Sequence, residues 1–346
     1  MTLEELLDSL QRLHDWMREL VLSACERHRT SELSEVVHAG AGDVTFMVGR
    51  VSEAALIDWL TREIAVREPI VLIGEGLPQG CITLPETATA DEARWRIIVD
   101  PIDGTRGLMY QKRPGWILTG VAPNRGSATS LADIELAVQT EIPLVKQHLT
   151  DQFWAFRGQG AYGSWFNRLT HESASLAINP STANGLRNGF ATVFRFFPGG
   201  RDVLAALDDE LCARLLGPIQ PGQAAVSNVQ YACTGGQLYG RMMGQDRLVA
   251  DLHPLVAPIV HARGEAAGHC CHPYDLCTML IAEEAGAVVT DPQGRGVSVP
   301  LDTEADVAWI GYANRRLQRE IEPVLQELIP THGLTTSDQL LSTSTL

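Results

Sequence analysis

Apolar residues at helical spacing open the chain. Leucine, methionine and valine side chains recur every three or four residues, at positions 3, 6, 7, 10, 13, 17, 20 and 21. Because this spacing puts them on one face of a helix, the segment is predicted to pack on the protein body or on a second subunit. A second helix is predicted to begin at Ser52 and Glu53, with apolar residues facing inward at positions 56, 57, 60 and 64.

Short apolar or alternating runs predict strands between further helices. The predicted strands lie at 70–73, 97–99, 134–138, 153–156, 190–194, 287–289 and 307–310. Further helices are predicted at 202–216, 279–285 and 315–328. Strands mixed with helices along 346 residues indicate one large α/β unit or two packed domains. We predict domains at 1–165 and 166–330, followed by a mobile tail at 331–346 that is rich in Ser and Thr.

Composition and charge narrow the class of protein. Hydrophobic residues make up 45% of the chain, enough for a sizeable core, and the net charge is -15. This charge argues against a nucleic-acid polymer or an anionic membrane as partner. The chain has no apolar stretch of about 18 residues, and its acidic start differs from a signal peptide. Seven cysteines without a regular framework predict reduced thiols in the cytoplasm.

The segment Ile-Ile-Val-Asp-Pro-Ile-Asp-Gly-Thr at 97–105 carries the strongest chemical signal. Asp100 and Asp103 follow a predicted buried strand and can point into one small volume, where two carboxylates repel each other. A hard divalent cation would neutralise them, and the Ile102 carbonyl could add a ligand. Backbone N–H groups of Gly104 and Thr105, at a helix start, would suit a phosphate oxygen.

A lone pair of acids at this spacing is more often an ordinary turn in which the second acid caps a helix. Two other segments change that balance. Glu75 follows the predicted strand at 70–73, and Asp275 precedes an apolar helix that ends at Gly286. A carboxylate near a helix N-terminus suits the positive end of the helix dipole. Metal and phosphate binding is therefore the favoured interpretation.

In this order the segments resemble the inositol monophosphatase / fructose-1,6-bisphosphatase superfamily of Mg²⁺-dependent, lithium-sensitive phosphatases. The matching pieces are Gly74-Glu75, the Asp-Pro-Ile-Asp-Gly-Thr of 100–105, Tyr274-Asp275 and Glu284-Ala285-Gly286. The likeness extends over about 43–314. It implies a layered α-β-α-β-α sugar-phosphatase fold and Mg²⁺-dependent hydrolysis of a small polyol, sugar or nucleotide phosphomonoester. It also implies a homodimer, as in many relatives.

The resemblance also implies a set of metal ligands. Glu75, Asp100 and the Ile102 carbonyl resemble the ligands of a first Mg²⁺ ion. Asp100, Asp103 and Asp275 resemble those of a second, with Asp100 bridging the two. Some relatives hold a third ion loosely.

Catalytic and substrate-binding roles are implied in the same way. Thr105 would orient the attacking water, with Asp103 and Glu75 completing the catalytic set. The phosphate would lie against Gly104 and Thr105, beside Asp103. Inositol-type relatives place a Glu before the Trp-Asp pair against sugar hydroxyls, and Glu265 is the nearest equivalent here.

Two departures from the family pattern bear on activity. Gly49 and Gly76 stand where the family has acids that lie near the attacking water or the third metal. General-base assistance is worth about 10²–10⁴ in rate, so a slow phosphatase is expected unless Asp43 or Glu53 compensates. The alternative is a catalytically impaired protein that binds metal and phosphate.

Other motifs in the sequence have simpler explanations than the ligands they suggest. The G-x-G-x-x-G of 158–163 matches a dinucleotide fingerprint, but no helix follows, so a hairpin turn is predicted. The His-Cys-Cys-His of 269–272 suggests zinc, yet adjacent cysteines cannot easily share one tetrahedral ion. Candidates for a second phosphate are Arg106, Arg113, Arg195 and Arg241.

Overall fold

Two β-sheets separate three layers of helices in the part of the chain that the structure describes. The computed structural model describes residues 1–28, 30–33, 36–39, 44–218 and 220–335, and for 36–39 and 44–53 it gives the backbone alone. A hairpin of β1 (Val36–Ala39) and β2 (Val44–Phe46) stands apart from the two sheets.

The larger sheet has eight strands. They are β3 (Ile70–Gly74), β4 (Cys81–Leu84), β5 (Trp95–Asp103), β6 (Gly115–Pro123), β7 (Leu136–Ile142), β8 (Leu149–Phe156), β9 (Ala161–Asn167) and β10 (Ser173–Ser175). Their order is β10-β9-β8-β7-β6-β5-β3-β4. Neighbouring strands run antiparallel except for β3 and β5, which are parallel.

The smaller sheet has four strands. They are β11 (Phe190–Val193), β12 (Asp246–Asp251), β13 (Val288–Thr290) and β14 (Trp309–Tyr312), in the order β11-β12-β14-β13. Both sheets are therefore mixed, which agrees with an α/β chain.

The helices fall on both sides of each sheet. They are α1 (Leu3–Arg27), α2 (Thr30–Leu33), α3 (Met47–Leu60), α4 (Thr105–Met109), α5 (Arg201–Leu216), α6 (Thr234–Met242), α7 (His253–Ala262), α8 (Pro273–Leu276), α9 (Met279–Glu284) and α10 (Arg315–Thr331). One core cluster joins α1 and α3 to the large sheet, a second fills the space between the sheets around α6, α8 and α9, and a third joins α5, α7 and α10 to the small sheet. This α-β-α-β-α layering confirms the predicted fold class.

Strand alternation decides which side chains face the layer between the sheets. On β5, Ile97 and Val99 pack in the cluster of α1, whereas Ile98 packs in the middle cluster. Because successive side chains point to opposite faces, Asp100 shares the face of Ile98. On β12, Val249 packs in the middle cluster and Leu248 in the outer one, so Asp251 also faces the middle layer.

The N-terminal helix forms as its pattern predicts. Thr2 caps it, because its hydroxyl accepts a hydrogen bond from the Glu5 N–H at 3.3 Å and its own N–H donates to the Glu5 carboxylate at 2.9 Å. Leu6, Leu10 and Leu13 are fully buried against the large sheet. Packing on the protein body, one of the two predicted environments, is therefore what the structure has.

Several strands begin or end at residues other than those predicted. The strand predicted at 97–99 continues to Asp103, and the one predicted at 307–310 lies at Trp309–Tyr312. The large sheet extends past residue 165 through β10, and the proposed domain division stays a prediction. Residues 336–346 of the predicted mobile tail lie outside the described residues. Within the described ranges, no helix is long and apolar enough to cross a membrane.

Candidate metal centre

A bulge in β5 brings Asp100 and Asp103 to the same face of the sheet. Asp100 lies opposite Leu118 and Asp103 opposite Trp116, so three steps along β5 match two steps along β6. In a regular strand, residues three apart would face opposite ways, and the extra residue of the bulge corrects this. The Asp100 carboxylate is fixed locally, because its Oδ1 accepts a hydrogen bond from the Ile102 N–H at 2.9 Å.

The Asp103 carboxylate is held from the other half of the chain. Its Oδ2 accepts from the Gly235 N–H at 2.5 Å, in the first turn of α6, and lies 3.3 Å from the Cys233 Sγ. Gly104 adopts a left-handed conformation with φ of 80°. A Cβ at that position would lie 2.8 Å from the Cys233 Sγ, so glycine is needed for this close approach as well as for the turn.

Asp275 approaches the same point from α8. Its backbone N–H donates to the His272 carbonyl at 3.1 Å, and its Oδ2 accepts from the His272 N–H at 2.7 Å. Pro273 occupies the first turn, a position that costs no helical hydrogen bond. Asp275, the acid predicted near a helix start, is thus held in place by two hydrogen bonds to the His272 backbone.

The three carboxylates form a compact cluster of oxygen donors. One oxygen each of Asp100, Asp103 and Asp275 lies within 4.8 Å of the others. Burial, and then the neighbouring acids, raises the pKa of Asp100 and Asp275 well above the usual range. Burial raises the pKa of Asp103 to about 6, although hydrogen bonds from α6 oppose this. Carboxylate oxygens are hard ligands that suit Mg²⁺, so the donor set fits that ion.

A cavity of about 300 Å³ opens over the cluster. It brings together seven of the eight site residues predicted from the sequence, which are Glu75, Asp100, Ile102, Asp103, Gly104, Thr105 and Asp275. Glu75 follows β3 and its charge contributes to the raised pKa of both Asp100 and Asp275. The Thr105 hydroxyl donates to the Ile102 carbonyl at 2.6 Å and so fixes the predicted carbonyl ligand.

Glu265 is the site residue that the structure leaves outside this cavity. It lies exposed in the segment after α7, and Asp251 lines the cavity instead. Sequence reasoning missed Asp251, although the signal was the one used for Asp100, an apolar run that ends in an acid. His253 fixes Asp251, because its Nδ1 lies 2.7 Å from the Asp251 Oδ1.

The two departures from the family pattern have different surroundings. Gly76 adopts a φ of 81°, in the turn that closes from the Leu77 N–H to the Gly74 carbonyl. A left-handed conformation favours glycine over any acid, so the backbone at this position suits the residue present. Gly49 lies within α3. Asp43 and the side chain of Glu53, the two suggested compensating acids, lie outside the described residues.

The four arginines suggested as phosphate ligands have different surroundings. Arg106 lines the cavity. Arg113 stacks over Tyr231, Arg195 pairs with Asp208 at 2.8 Å, and the buried Arg241 stacks over a tryptophan. Arg106 is therefore the candidate that remains for contact with substrate.

The glycine-rich motif at 158–163 is a hairpin turn between β8 and β9, as predicted. The backbone N–H groups of this turn bind a carboxylate from elsewhere in the same chain. The Glu284 carboxylate accepts from the Gly158 N–H at 2.7 Å and from the Gly160 N–H at 2.8 Å. Glu284 belongs to the Glu-Ala-Gly segment, so this part of the family-like pattern is a structural partner of the glycine-rich turn.

Comparisons with known proteins identify the fold. No family model matches the chain, and no curated protein sequence matches it. Among solved structures, Leishmania major fructose-1,6-bisphosphatase in holo form is similar with a TM-score of 0.67 and 13% identity, covering 94% of each chain. The extragenic suppressor protein suhB of Bartonella henselae has a TM-score of 0.63 and 15% identity, covering 93% of this chain and 98% of that one.

A third similar structure is the MJ0109 gene product, described as an inositol monophosphatase–fructose 1,6-bisphosphatase. Its TM-score is 0.63 at 16% identity, with 95% of this chain and 100% of that chain covered. At these identities the likeness establishes the fold. The chain therefore has the inositol monophosphatase / fructose-1,6-bisphosphatase fold, as its motifs predict.

Proposed function

We propose that this protein is a Mg²⁺-dependent phosphatase that hydrolyses a small polyol, sugar or nucleotide phosphomonoester. The observation that carries the proposal is the cluster of the buried Asp100 and Asp103 with the half-buried Asp275 at the wall of an open cavity. Three repelling carboxylates without a counter-charge are costly, and a divalent cation is the chemistry that relieves them. The shared fold with structures of phosphatases supports the same conclusion.

The residues divide between two ions as the resemblance implies. Glu75, Asp100 and the Ile102 carbonyl would hold the first, and Asp100, Asp103 and Asp275 the second. When bound, such ions supply positive charge to the phosphoryl oxygens and lower the pKa of a water molecule. No covalent protein nucleophile is then required, because phosphoryl transfer depends mainly on positioning and charge stabilisation.

The protein's own groups would orient the substrate. Gly104 and Thr105 lie at the cavity wall where α4 begins, the place expected for the phosphate. The Thr105 hydroxyl donates its hydrogen to the Ile102 carbonyl. Its oxygen lone pairs therefore stay available to accept a hydrogen bond from the attacking water.

Other residues that line the cavity would contact the leaving group. Asp251 would offer a carboxylate to hydroxyl groups, the role first predicted for Glu265. Phe196 and Phe197 add apolar surface, and Arg106 adds one positive charge. Aromatic surface beside a hydroxyl acceptor suits a ring that carries hydroxyl groups, which fits the proposed substrate classes.

A catalytically impaired binding protein remains the second candidate, because Gly49 and Gly76 provide no carboxylate beside the proposed water. The homodimer and the cytoplasmic location stay predictions. Both functional candidates share the metal and phosphate site and differ in turnover.

Phosphate release separates the two candidates. We expect wild-type protein to hydrolyse at least one member of a panel of inositol phosphates, sugar bisphosphates and 3′-phosphoadenosine phosphate, and to need Mg²⁺ for it. Asp103→Asn should lower that rate by about 10³-fold, because metal charge stabilisation is worth several kcal/mol.

Asp208→Asn is the matched control, since Asp208 is also buried but pairs with Arg195 away from the cavity. Metal binding without turnover on any substrate would favour the binding protein. Turnover that persists in Asp103→Asn would contradict the proposed site.

A further inference from the structure

Gln139 is a fully buried polar residue that the proposed chemistry does not use. It lies on β7 and faces the middle layer, since Ala137 packs in the middle cluster while Leu136 and Val138 pack in the cluster of α1. Burying an amide in an apolar core is costly unless both of its ends are hydrogen-bonded. Both ends of the Gln139 amide are hydrogen-bonded. One partner lies in the segment that anchors Asp103, and the other lies in the segment that carries Asp275.

The amide nitrogen of Gln139 reaches the segment that anchors Asp103. Its Nε2 donates to the Gly235 carbonyl at 2.9 Å, and the N–H of the same glycine donates to the Asp103 Oδ2 at 2.5 Å. A Cβ at residue 235 would lie 2.7 Å from the Leu118 side chain. Glycine at this position thus lets the first turn of α6 lie directly on the sheet, within reach of Gln139.

The amide oxygen of Gln139 reaches the segment that carries Asp275. Its Oε1 accepts from the Thr278 Oγ1 at 2.9 Å. Thr278 is fully buried and lies between α8 and α9, three residues after Asp275. The Gly235 carbonyl can only accept, so it fixes the amide nitrogen of Gln139 on its side, and the Thr278 hydroxyl donates to the amide oxygen.

The sheet itself fixes Gln139 relative to Asp100. Gln139 lies opposite Leu118, and Leu118 lies opposite Asp100, so the three residues form one row across β7, β6 and β5. Two strand spacings separate the ends of this row by about 10 Å. The sheet therefore fixes the position of Gln139. A single hydrogen bond joins it to the first turn of α6, and another joins it to the segment between α8 and α9.

We propose that Gln139 is a positioning residue, which sets the separation of Asp103 and Asp275 and thereby the affinity of the metal centre. The inference rests on the proposed function, because it concerns the same three carboxylates. Without the amide, α6 and the α8–α9 segment lose their shared attachment to β7, and two buried polar groups lose their partners. The carboxylates would then repel each other to a wider spacing.

Metal affinity, measured apart from turnover, tests this role. Mn²⁺ titration of the full-length protein, followed by electron paramagnetic resonance, should show binding by wild type. Gln139→Leu should weaken it about 10–100-fold, the usual cost of removing a group that orients metal ligands. Thr278→Val should weaken it about tenfold, and Thr278→Ser, which keeps the hydroxyl, should restore it.

Thr140→Val is the matched control. Thr140 is the next residue on the same strand and is equally buried, but it faces α1 and bonds His14 at 2.9 Å. Thermal unfolding should show that it destabilises the fold, while its Mn²⁺ affinity equals that of wild type.

The outcomes separate the two proposals. Wild-type affinity in Gln139→Leu, or an equal loss in Thr140→Val, overturns the positioning role. If Gln139→Leu does not fold, the Thr278 pair decides, since equal affinity of the valine and serine variants contradicts it. Wild-type protein that binds no Mn²⁺ overturns the proposed metal centre and this inference with it.

Discussion

Two buried polar clusters on opposite faces of the large sheet differ in whether groups within the chain balance them. On the α1 face, the ring nitrogens of His14 lie 2.9 Å from the Thr140 hydroxyl and 2.8 Å from the Thr119 hydroxyl. Burial lowers the pKa of His14 to about 3, so the ring is neutral and fully bonded. On the other face, Asp100 and Asp103 are buried side by side, and burial raises the pKa of both.

This difference distinguishes buried polar residues that stabilise the fold from those that are candidates for function. His14 has all its partners within the chain and needs nothing from outside. The carboxylates have hydrogen-bond partners too, yet their mutual repulsion remains, and an external cation is what would remove it. Perturbed groups that converge on a cavity are candidates for function for this reason.

The largest effect is expected on the α1 face. His14→Leu should lower the free energy of unfolding by about 4 kcal/mol at neutral pH, because the buried hydroxyls of Thr119 and Thr140 each lose a hydrogen bond, and Thr140 keeps the one from Gln152. The cost should shrink below about pH 6.5, since the unfolded wild type gains a proton on its histidine that the folded state does not take up until about pH 3. Denaturant unfolding from pH 7.5 to pH 5 measures this. A cost that is constant across this range would mean that His14 titrates normally.

The opposite sign is expected on the cavity face. In metal-free protein, Asp103→Asn should raise the free energy of unfolding above pH 6, by up to about 3 kcal/mol. The pKa of Asp103 rises from 3.8 to about 6 on folding, so the wild type loses stability as the pH climbs through this window, and asparagine does not. Unfolding in EDTA at pH 4.5 and pH 8 gives the comparison. Equal stability of the two proteins at pH 8 would show that the carboxylate is not under strain.

Glu284 extends the comparison, because it is an acid whose carboxylate is hydrogen-bonded by backbone groups of the same chain. Glu284→Ala should lower the free energy of unfolding by about 2 kcal/mol, since the Gly158 and Gly160 N–H groups lose their acceptor. Metal affinity should stay that of wild type. A loss of metal affinity together with stability would place this turn in the functional machinery instead.

The smallest effect is expected at Gly76. Restoring the family acid with Gly76→Glu should cost about 1 kcal/mol of stability, because the left-handed φ of 81° disfavours a side chain. Activity is therefore expected not to rise, and Gly49→Asp becomes the better test of the missing acid. Increased hydrolysis by Gly76→Glu would mean that the turn adapts readily.

The sequence allowed local features to be predicted well. Apolar runs located β3 and β5, and the helical period located α1, because both signals come from residues adjacent in the chain. The Asp-Pro-Ile-Asp segment predicted converging carboxylates, although the bulge that turns Asp103 inward came from pairing with β6 and left no mark on the local pattern. The metal-centre residues converge as expected, but their roles remain proposals.

The hydrogen bonds that join distant segments around the metal centre were not predicted. The Gly235 N–H meets Asp103 across 132 residues, and Gln139 contacts Thr278 across 139. No spacing rule connects such positions, since the sheets create the contact. Asp251 was not predicted because α7 separates it in the chain from Asp275, whereas Glu265 is nearer in sequence but lies outside the cavity.

Thermal unfolding of metal-free wild-type protein during Mg²⁺ titration at pH 8 tests the central claim most directly, namely that the three carboxylates require a divalent cation. Binding to the folded state should raise the unfolding temperature with increasing Mg²⁺, and Asp103→Asn should lose most of this rise. An unfolding temperature that stays constant up to millimolar Mg²⁺ in wild type would contradict the account.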